Sequence, residues 1–288
     1  MAPTMNSRER FRETMRYGRP DRVPYLEETI RQEVFEQWRR QGMPPHTDVS
    51  RMFAADRLEN LEPNLDPIPK PAAWPTSPAE LREFRRLLDP GNPARLPEGM
   101  PGRIRRWKSR DHLLMLYVHE GLFLSMGVRD WRSFVTVATH LADDPAFVQE
   151  FMEIKGQLAA RVAERLLRDL KVDAAIFSEP IGANSGPLIS PEMYETLVLP
   201  SYEPVLQVLR RHSVSPIIFK TFANARRLLP SVLKWGFNCL WACANCITPY
   251  TCRFTNIDCY WTDAYGYAAP RLDIVHQRQP SGGYGFRP

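Results

Sequence analysis

The sequence predicts an α/β fold built on a parallel sheet, and two patterns carry that expectation. Between residues 172 and 243, apolar strand-like runs alternate with amphipathic helical stretches. Residues 172–177, 216–219 and 237–241 read as strands, and residues 190–212 and 226–234 as the helices between them. Only a crossover helix returns the chain to the same end of a sheet, so these strands pair in parallel. The second pattern is a long helix that leads into this region. Asp143-Asp144-Pro145 marks its start, with proline at the first helical position. Phe147, Phe151, Ile154, Leu158, Val162 and Leu166 follow at spacings of three and four, which form one apolar helix face. Sites in such sheets lie beyond the C-terminal strand ends. Here those ends are Ser178-Glu179, Lys220-Thr221 and Ala242-Cys243.

From the N-terminus, residues 6–11 open a helix with Ser7 in the N-cap position. Arg10, three residues on, stands where a full capping box has a glutamate. The helix ends across residues 18–22, and residues 23–27 follow as a short strand-like run. Residues 31–40 form a further helix, stopped by Gly42 and Pro44-Pro45. Residues 62–102 contain ten prolines, which excludes core sheet or long helix and predicts an extended insertion or lid. One helical island, residues 78–88, interrupts it. Residues 112–118 resume as an apolar strand ending at His119-Glu120-Gly121. The count reaches five or six parallel strands, and an eight-stranded barrel needs two or three more. Residues 1–245 therefore read as one barrel-type domain, (β/α)8 in character and incomplete at its C-terminal end. Residues 246–288 show neither helical period nor a strand followed by a helix. This tail reads as foreign to the fold, for instance an out-of-frame end or a deletion; the alternative is a loop-rich cap.

With 288 residues, 43% of them hydrophobic, the chain can bury one large core. Lys and Arg number 38 against 33 Asp and Glu, a mild net charge of +5. The densest basic cluster, residues 103–108, could meet nucleic acid or an anionic substrate. Without aromatic-interleaved basic stripes it reads as a solvated loop, and no nucleic-acid partner is expected. No apolar run reaches membrane-span length and the polar N-terminus lacks a signal-peptide core, so a cytoplasmic protein without membrane partners is expected. The five cysteines all fall between Cys239 and Cys259. Cys243-Ala244-Asn245-Cys246 is a C-x-x-C, but a second close pair is missing and His276 stands alone. Reduced thiols and no metal are the expectation.

Two segments carry a family resemblance. Asn6-Ser7-Arg8-Glu9-Arg10-Phe11, continuing through Gly18-Arg19-Pro20-Asp21-Arg22-Val23-Pro24, resembles the N-terminus of the uroporphyrinogen decarboxylase superfamily, particularly its corrinoid-methyltransferase-like branch. Gly186-Pro187-Leu188-Ile189-Ser190-Pro191-Glu192-Met193-Tyr194, with Leu199-Pro200-Ser201-Tyr202, resembles that superfamily's most recognisable internal motif. The likeness covers about residues 5–245. It implies a (β/α)8 barrel with its site at the C-terminal rim, and two chemistries. Decarboxylases remove carboxyl groups from the acetate side chains of uroporphyrinogen without a cofactor. Methyltransferases use a zinc-bound thiolate in a His-x-Cys motif. Here the segment in that place reads Phe219-Lys220-Thr221-Phe222-Ala223-Asn224, without a zinc ligand, and the decarboxylases' Gly-Arg-Tyr is absent near Tyr25.

The rim residues are therefore judged on their own chemistry. Glu179 follows an apolar strand and is expected at the barrel mouth, where burial raises a carboxyl toward a useful acid; the alternative is a structural carboxylate. Lys220 could hold a substrate carboxylate or pair with Glu179 across adjacent strands. These two are the candidate catalytic residues. Asn224 and Arg226, at the next helix start, suit an anion, or serve as a cap and a solvated arginine. His119, Glu120 and Ser178 complete the candidate substrate-binding set, with a hydrogen-bonded structural histidine as the alternative for His119. Cys243 reads as a buried small side chain. The expected function is decarboxylation of a tetrapyrrole or similar polycarboxylate, without cofactor and with a homodimer possible. The alternatives are a corrinoid-linked methyltransferase relative and a catalytically inactive barrel remnant.

Overall fold

The computed structural model describes residues 4–26, 32–48, 55–183 and 185–243. The expected tail, 246–288, lies outside the described residues. Five strands form one sheet in chain order: β1 (Leu58–Leu61), β2 (Leu113–His119), β3 (Ala174–Glu179), β4 (Ile217–Phe222) and β5 (Cys239–Cys243). Each neighbouring pair is parallel. Every connection is thus a crossover that advances by one strand, and the architecture is α/β. No helix among the described residues is long and apolar enough to cross a membrane.

The helices follow local rules. In α1 (Ser7–Met15) the N-cap is Asn6, not Ser7; Asn6 accepts from the Glu9 N–H while the Glu9 carboxylate accepts from the Asn6 N–H. The capping box expected to be incomplete is therefore complete one residue earlier, and Ser7 instead accepts from the Arg57 N–H. Next come α2 (Gln32–Arg40), α3 (Pro78–Arg86), α4 (Met100–Lys108), α5 (Gly121–Ser125) and α6 (Trp131–Asp143). The long helix α7 (Pro145–Leu167) starts as expected, with Asp144 capping Phe147 and Pro145 at the first position. A short α8 (Pro191–Met193), a π-helical turn (Tyr194–Val198) and α9 (Leu199–Arg211) run on without a break, and α10 (Leu229–Lys234) precedes β5. Pro200 has no N–H to give to the preceding turn, which accounts for a widened turn at that place.

Two elements depart from expectation. β1 is a strand the sequence did not announce: four residues, Leu-Glu-Asn-Leu, paired to β2 from Leu58↔Leu113 to Leu61↔Leu116. Residues 23–26, expected as a strand, join no ladder among the described residues. Pro24 brings no N–H to a ladder, and Asp56 holds the segment instead. Asp56 accepts from the Tyr25 N–H at 2.9 Å and donates its own N–H to the Tyr25 carbonyl at 2.6 Å.

The sheet has two different faces, because side chains alternate along each strand. Leu114, Leu116, Val118, Ala175, Phe177, Ile217 and Phe219 pack under α7 and α9 in the larger core. Leu113, Met115, Ala174, Ile176, Ile218, Cys239 and Trp241 face the other way, with Phe11 of α1 against them. We call these the helix face and the inner face. A bulge between Tyr117 and His119 shifts the end of β2, so that His119 pairs with Phe177.

The proline-rich connection between β1 and β2 is packed rather than free. Leu65, Leu81, Phe84, Leu88 and Met100 are buried, and Trp74 and Phe84 stack near Phe151 of α7. Arg95 holds the loop together: fully buried, it donates to the carbonyls of Asp89 (2.6 Å), Asn64 (2.9 Å), Asp66 (2.8 Å) and Leu87 (3.0 Å). A single guanidinium therefore replaces the ladder this segment cannot form. Arg95→Met keeps most of the volume but strands four carbonyls. Urea unfolding should show a loss of about 3 kcal/mol or more; an unchanged midpoint would contradict this role.

Candidate functional site

Register decides which rim residues meet. Across β3 and β4, Ser178 pairs with Lys220 and Glu179 with Thr221. Paired residues share a face, so Ser178 and Lys220 lie together on the inner face. Glu179 lies on the helix face. The expected Glu179–Lys220 pair therefore does not form, and Glu179 does not line the inner face; one step of pleat separates the two side chains.

Glu179 is sealed beneath the helices with no solvent exposure. Its carboxyl accepts from the hydroxyl of Tyr202, the hydroxyl of Tyr194 at 3.1 Å and the Leu122 N–H of α5 at 2.9 Å. Burial outweighs these three donors and pushes its pKa up to about 7. A glycine is needed at its side: Gly121 has φ +77°, and a Cβ there would sit 2.5 Å from Glu179 Oε1. His119 lies close by, its ring 4.5 Å from that of Tyr202 and stacked on Phe177 at 6.0 Å. Its Nδ1 accepts from the Gly121 N–H at 3.0 Å, while Nε2 is buried without a hydrogen-bond partner among the described residues. Burial, then the nearby Lys155 charge, lowers His119 to about 3. Lys155, itself buried, donates to the Leu65 carbonyl at 2.6 Å and lies 3.6 Å from the Glu120 carboxylate. His119, Glu120 and Glu179 thus belong to a polar seam between sheet and helices that fixes α5 and the β1–β2 connection.

The inner face presents different chemistry. Lys220 is 6% exposed, and its ammonium donates to the Tyr117 hydroxyl at 3.1 Å. It lies 4.7 Å from the Trp241 ring centre, 5.5 Å from Tyr117 and 5.6 Å from Phe222. Aromatic faces stabilise a cation without neutralising it, and the ammonium sits in a wall of three rings. Ser178 is half-buried beside it, and Asn60 of β1 lies on the same face with its Oδ1 buried and without a hydrogen-bond partner among the described residues. The connections after β3 and β4 meet above: Ala183 bridges Asn224, and a Cβ on Gly182 would fall 2.1 Å from the Phe222 carbonyl. Ala223 takes a left-handed φ of 53° next to this contact. Asn224 is half-buried and its Oδ1 accepts from the Arg226 N–H at 3.2 Å, an Asx-type turn rather than the expected cap, since Ala225 occupies the cap position; Arg226 is exposed at the start of the following turn.

The structure thus brings together Ser178 and Lys220 from the expected set and sets Asn224 in the connection that meets the β3 loop, while Arg226 lies exposed two residues on. Tyr117, Phe222 and Trp241 were not singled out as site residues. Their signal was the alternation along their own strands, which places them level with Lys220.

Two titrations in the seam oppose each other. Glu179, raised from 4.5 to about 7, favours the fold fully below pH 4.5, and this contribution is lost as pH rises to about 7. His119, lowered from 6.5 to about 3, contributes stability above pH 6.5 that is lost as pH falls toward 3. Relative to wild type, Glu179→Gln should gain about 3 kcal/mol between pH 4.5 and pH 8. Urea titrations at both pH values measure this, and parallel profiles for the two proteins would exclude it.

Among the described residues no three His, Cys, Asp or Glu side chains converge as metal ligands would. No protein-family model matches the chain, and no curated protein does.

Proposed function

We propose that the inner face at the C-terminal rim binds a planar, carboxylate-bearing substrate, with Lys220 as its anchor. The observation that carries this reading is an ammonium walled by Tyr117, Phe222 and Trp241 at the strand ends. Aromatic walls suit a flat ring system and a desolvated cation suits its carboxylate. Together with the two resembling segments, this supports a uroporphyrinogen decarboxylase-like enzyme acting on a tetrapyrrole or similar polycarboxylate. The five strands would then be the first part of a (β/α)8 scaffold. In such a reaction the bond between an acetate carboxyl and its methylene breaks, carbon dioxide leaves, and the carbon takes up a proton. Lys220 and the Tyr117 hydroxyl bonded to it are proton-bearing groups of this face. Glu179, sealed on the other face, supports the rim from behind.

Incubation of the full chain with uroporphyrinogen, followed by separation of products by carboxyl number, tests this. Turnover should appear, and Lys220→Gln should lower kcat/KM by about 100-fold. Glu179→Gln should leave kcat/KM within a few-fold of wild type. Saturable binding of uroporphyrin without turnover would remove the reaction but keep the site; neither binding nor turnover would remove both.

A further inference from the structure

The opposite end of the sheet carries a second concentration of charge that the rim site does not use. Just before β3, Asp173 is fully buried and is approached by three guanidinium groups. Its Oδ1 takes Arg8 Nε at 2.8 Å and Arg12 Nη2 at 3.0 Å. Its Oδ2 takes Arg110 Nη2 at 2.8 Å and Nε at 3.2 Å, and the Leu114 N–H at 3.2 Å. One carboxylate is thereby saturated while three cations gather round it, which leaves two positive charges uncompensated at that point. Arg110 spends its other donors on the carbonyls of Trp107 and Lys171. Arg8 does not: its Nη groups make no protein hydrogen bond among the described residues.

A cavity of about 660 Å³ opens beside this cluster. Arg8, Arg12, Lys108, Arg110, Arg168 and Lys171 line it, with Asp169 as the opposing charge on its wall. Lys108 and Lys171 have no carboxylate within ion-pair distance among the described residues. His212, also on the wall, is engaged by Glu164 at 3.2 Å, and the same carboxylate takes Arg211 at 2.9 Å and Arg168 at 3.6 Å. The volume lies within the range that holds small molecules. Uncompensated like charges at close range repel unless an anion joins them, and guanidinium forks match the oxygen geometry of phosphate.

We infer that this cavity, at the N-terminal end of the strands, binds a multiply charged phosphoanion such as the di- or triphosphate group of a small molecule. Asp173 holds Arg8 and Arg12 in place, and the two unpaired lysines complete the cradle from the connections before β2 and β3. The site is remote in the fold from Lys220 and does not depend on the reading of the rim.

Calorimetric titration of the full chain with inorganic pyrophosphate tests the inference. Saturable binding at one site is expected, weakening as sodium chloride is added. The double variant Arg12→Gln/Lys171→Gln, both exposed positions, should weaken it by at least ~10-fold, and Lys171→Gln alone by a smaller factor. Lys171 makes no ion pair among the described residues, so the single variant should melt with wild-type cooperativity. Lys220→Gln should bind pyrophosphate as wild type does. Absence of saturation, unchanged binding in the double variant, or equally tight binding of citrate would overturn the assignment.

Discussion

The pleat of two adjacent strands governs most of what this molecule can do. Because Ser178 pairs with Lys220 and Glu179 with Thr221, the two ionisable rim residues part to opposite sides of the sheet. One side is dry and closed by α7 and α9; the other carries an aromatic-walled ammonium. A carboxylate and an ammonium one strand apart would otherwise have formed an ion pair and cancelled. Their separation leaves Glu179 to organise the scaffold beneath the helices and Lys220 among the aromatic rings of the inner face. A shift of one residue in register would exchange these roles and place the acid in the open and the lysine beneath the helices.

The buried side of that division works because Glu179 and His119 are kept neutral over a common range. Glu179 holds its proton up to about pH 7 and His119 stays unprotonated down to about pH 3. Between those limits neither brings a charge into a region from which water is excluded, so the large cost of an unpaired buried ion is avoided. Tyr202 touches both groups, its ring against His119 and its hydroxyl on Glu179. Lys155 is the exception, and its carbonyl and carboxylate neighbours supply the compensation a buried ammonium requires.

Much of the architecture was legible in the sequence. The apolar cores of β2 to β5 and the period of α7 announce themselves because hydrophobic burial writes a pattern at the residue level. β1 does not, since it is four residues long, polar at its two middle positions and followed by prolines. The first helix cap was misplaced by one residue because two cap-competent residues, Asn6 and Ser7, stand side by side, and only the backbone shows which one leaves the helix. For the candidate site, the sequence located the strand ends but not the face on which each side chain lies. Facing depends on register, and register is set by contacts between segments more than forty residues apart, as with Ser178 and Lys220. The packing of residues 62–102 was equally hidden. Proline content says what a segment cannot form, whereas Arg95 and Lys155 decide what it does instead.

The π-helical turn before α9 has a meaning that follows from counting. In an unbroken α-helix two full turns span about seven residues, so positions eight apart point in noticeably different directions. Tyr194 and Tyr202 are eight apart, yet both hydroxyls reach the same oxygen of Glu179. The wider turn at Tyr194–Val198 absorbs the surplus residue and brings the two rings back into line. The bulge in β2 likewise gives up one residue of regular pairing and sets His119 opposite Phe177. Both irregularities act as spacers of one residue, and each aims an aromatic ring at the same small volume. Backbone that looks imperfect when viewed as helix or strand is in this sense a timing device, and its length in residues matters more than its composition.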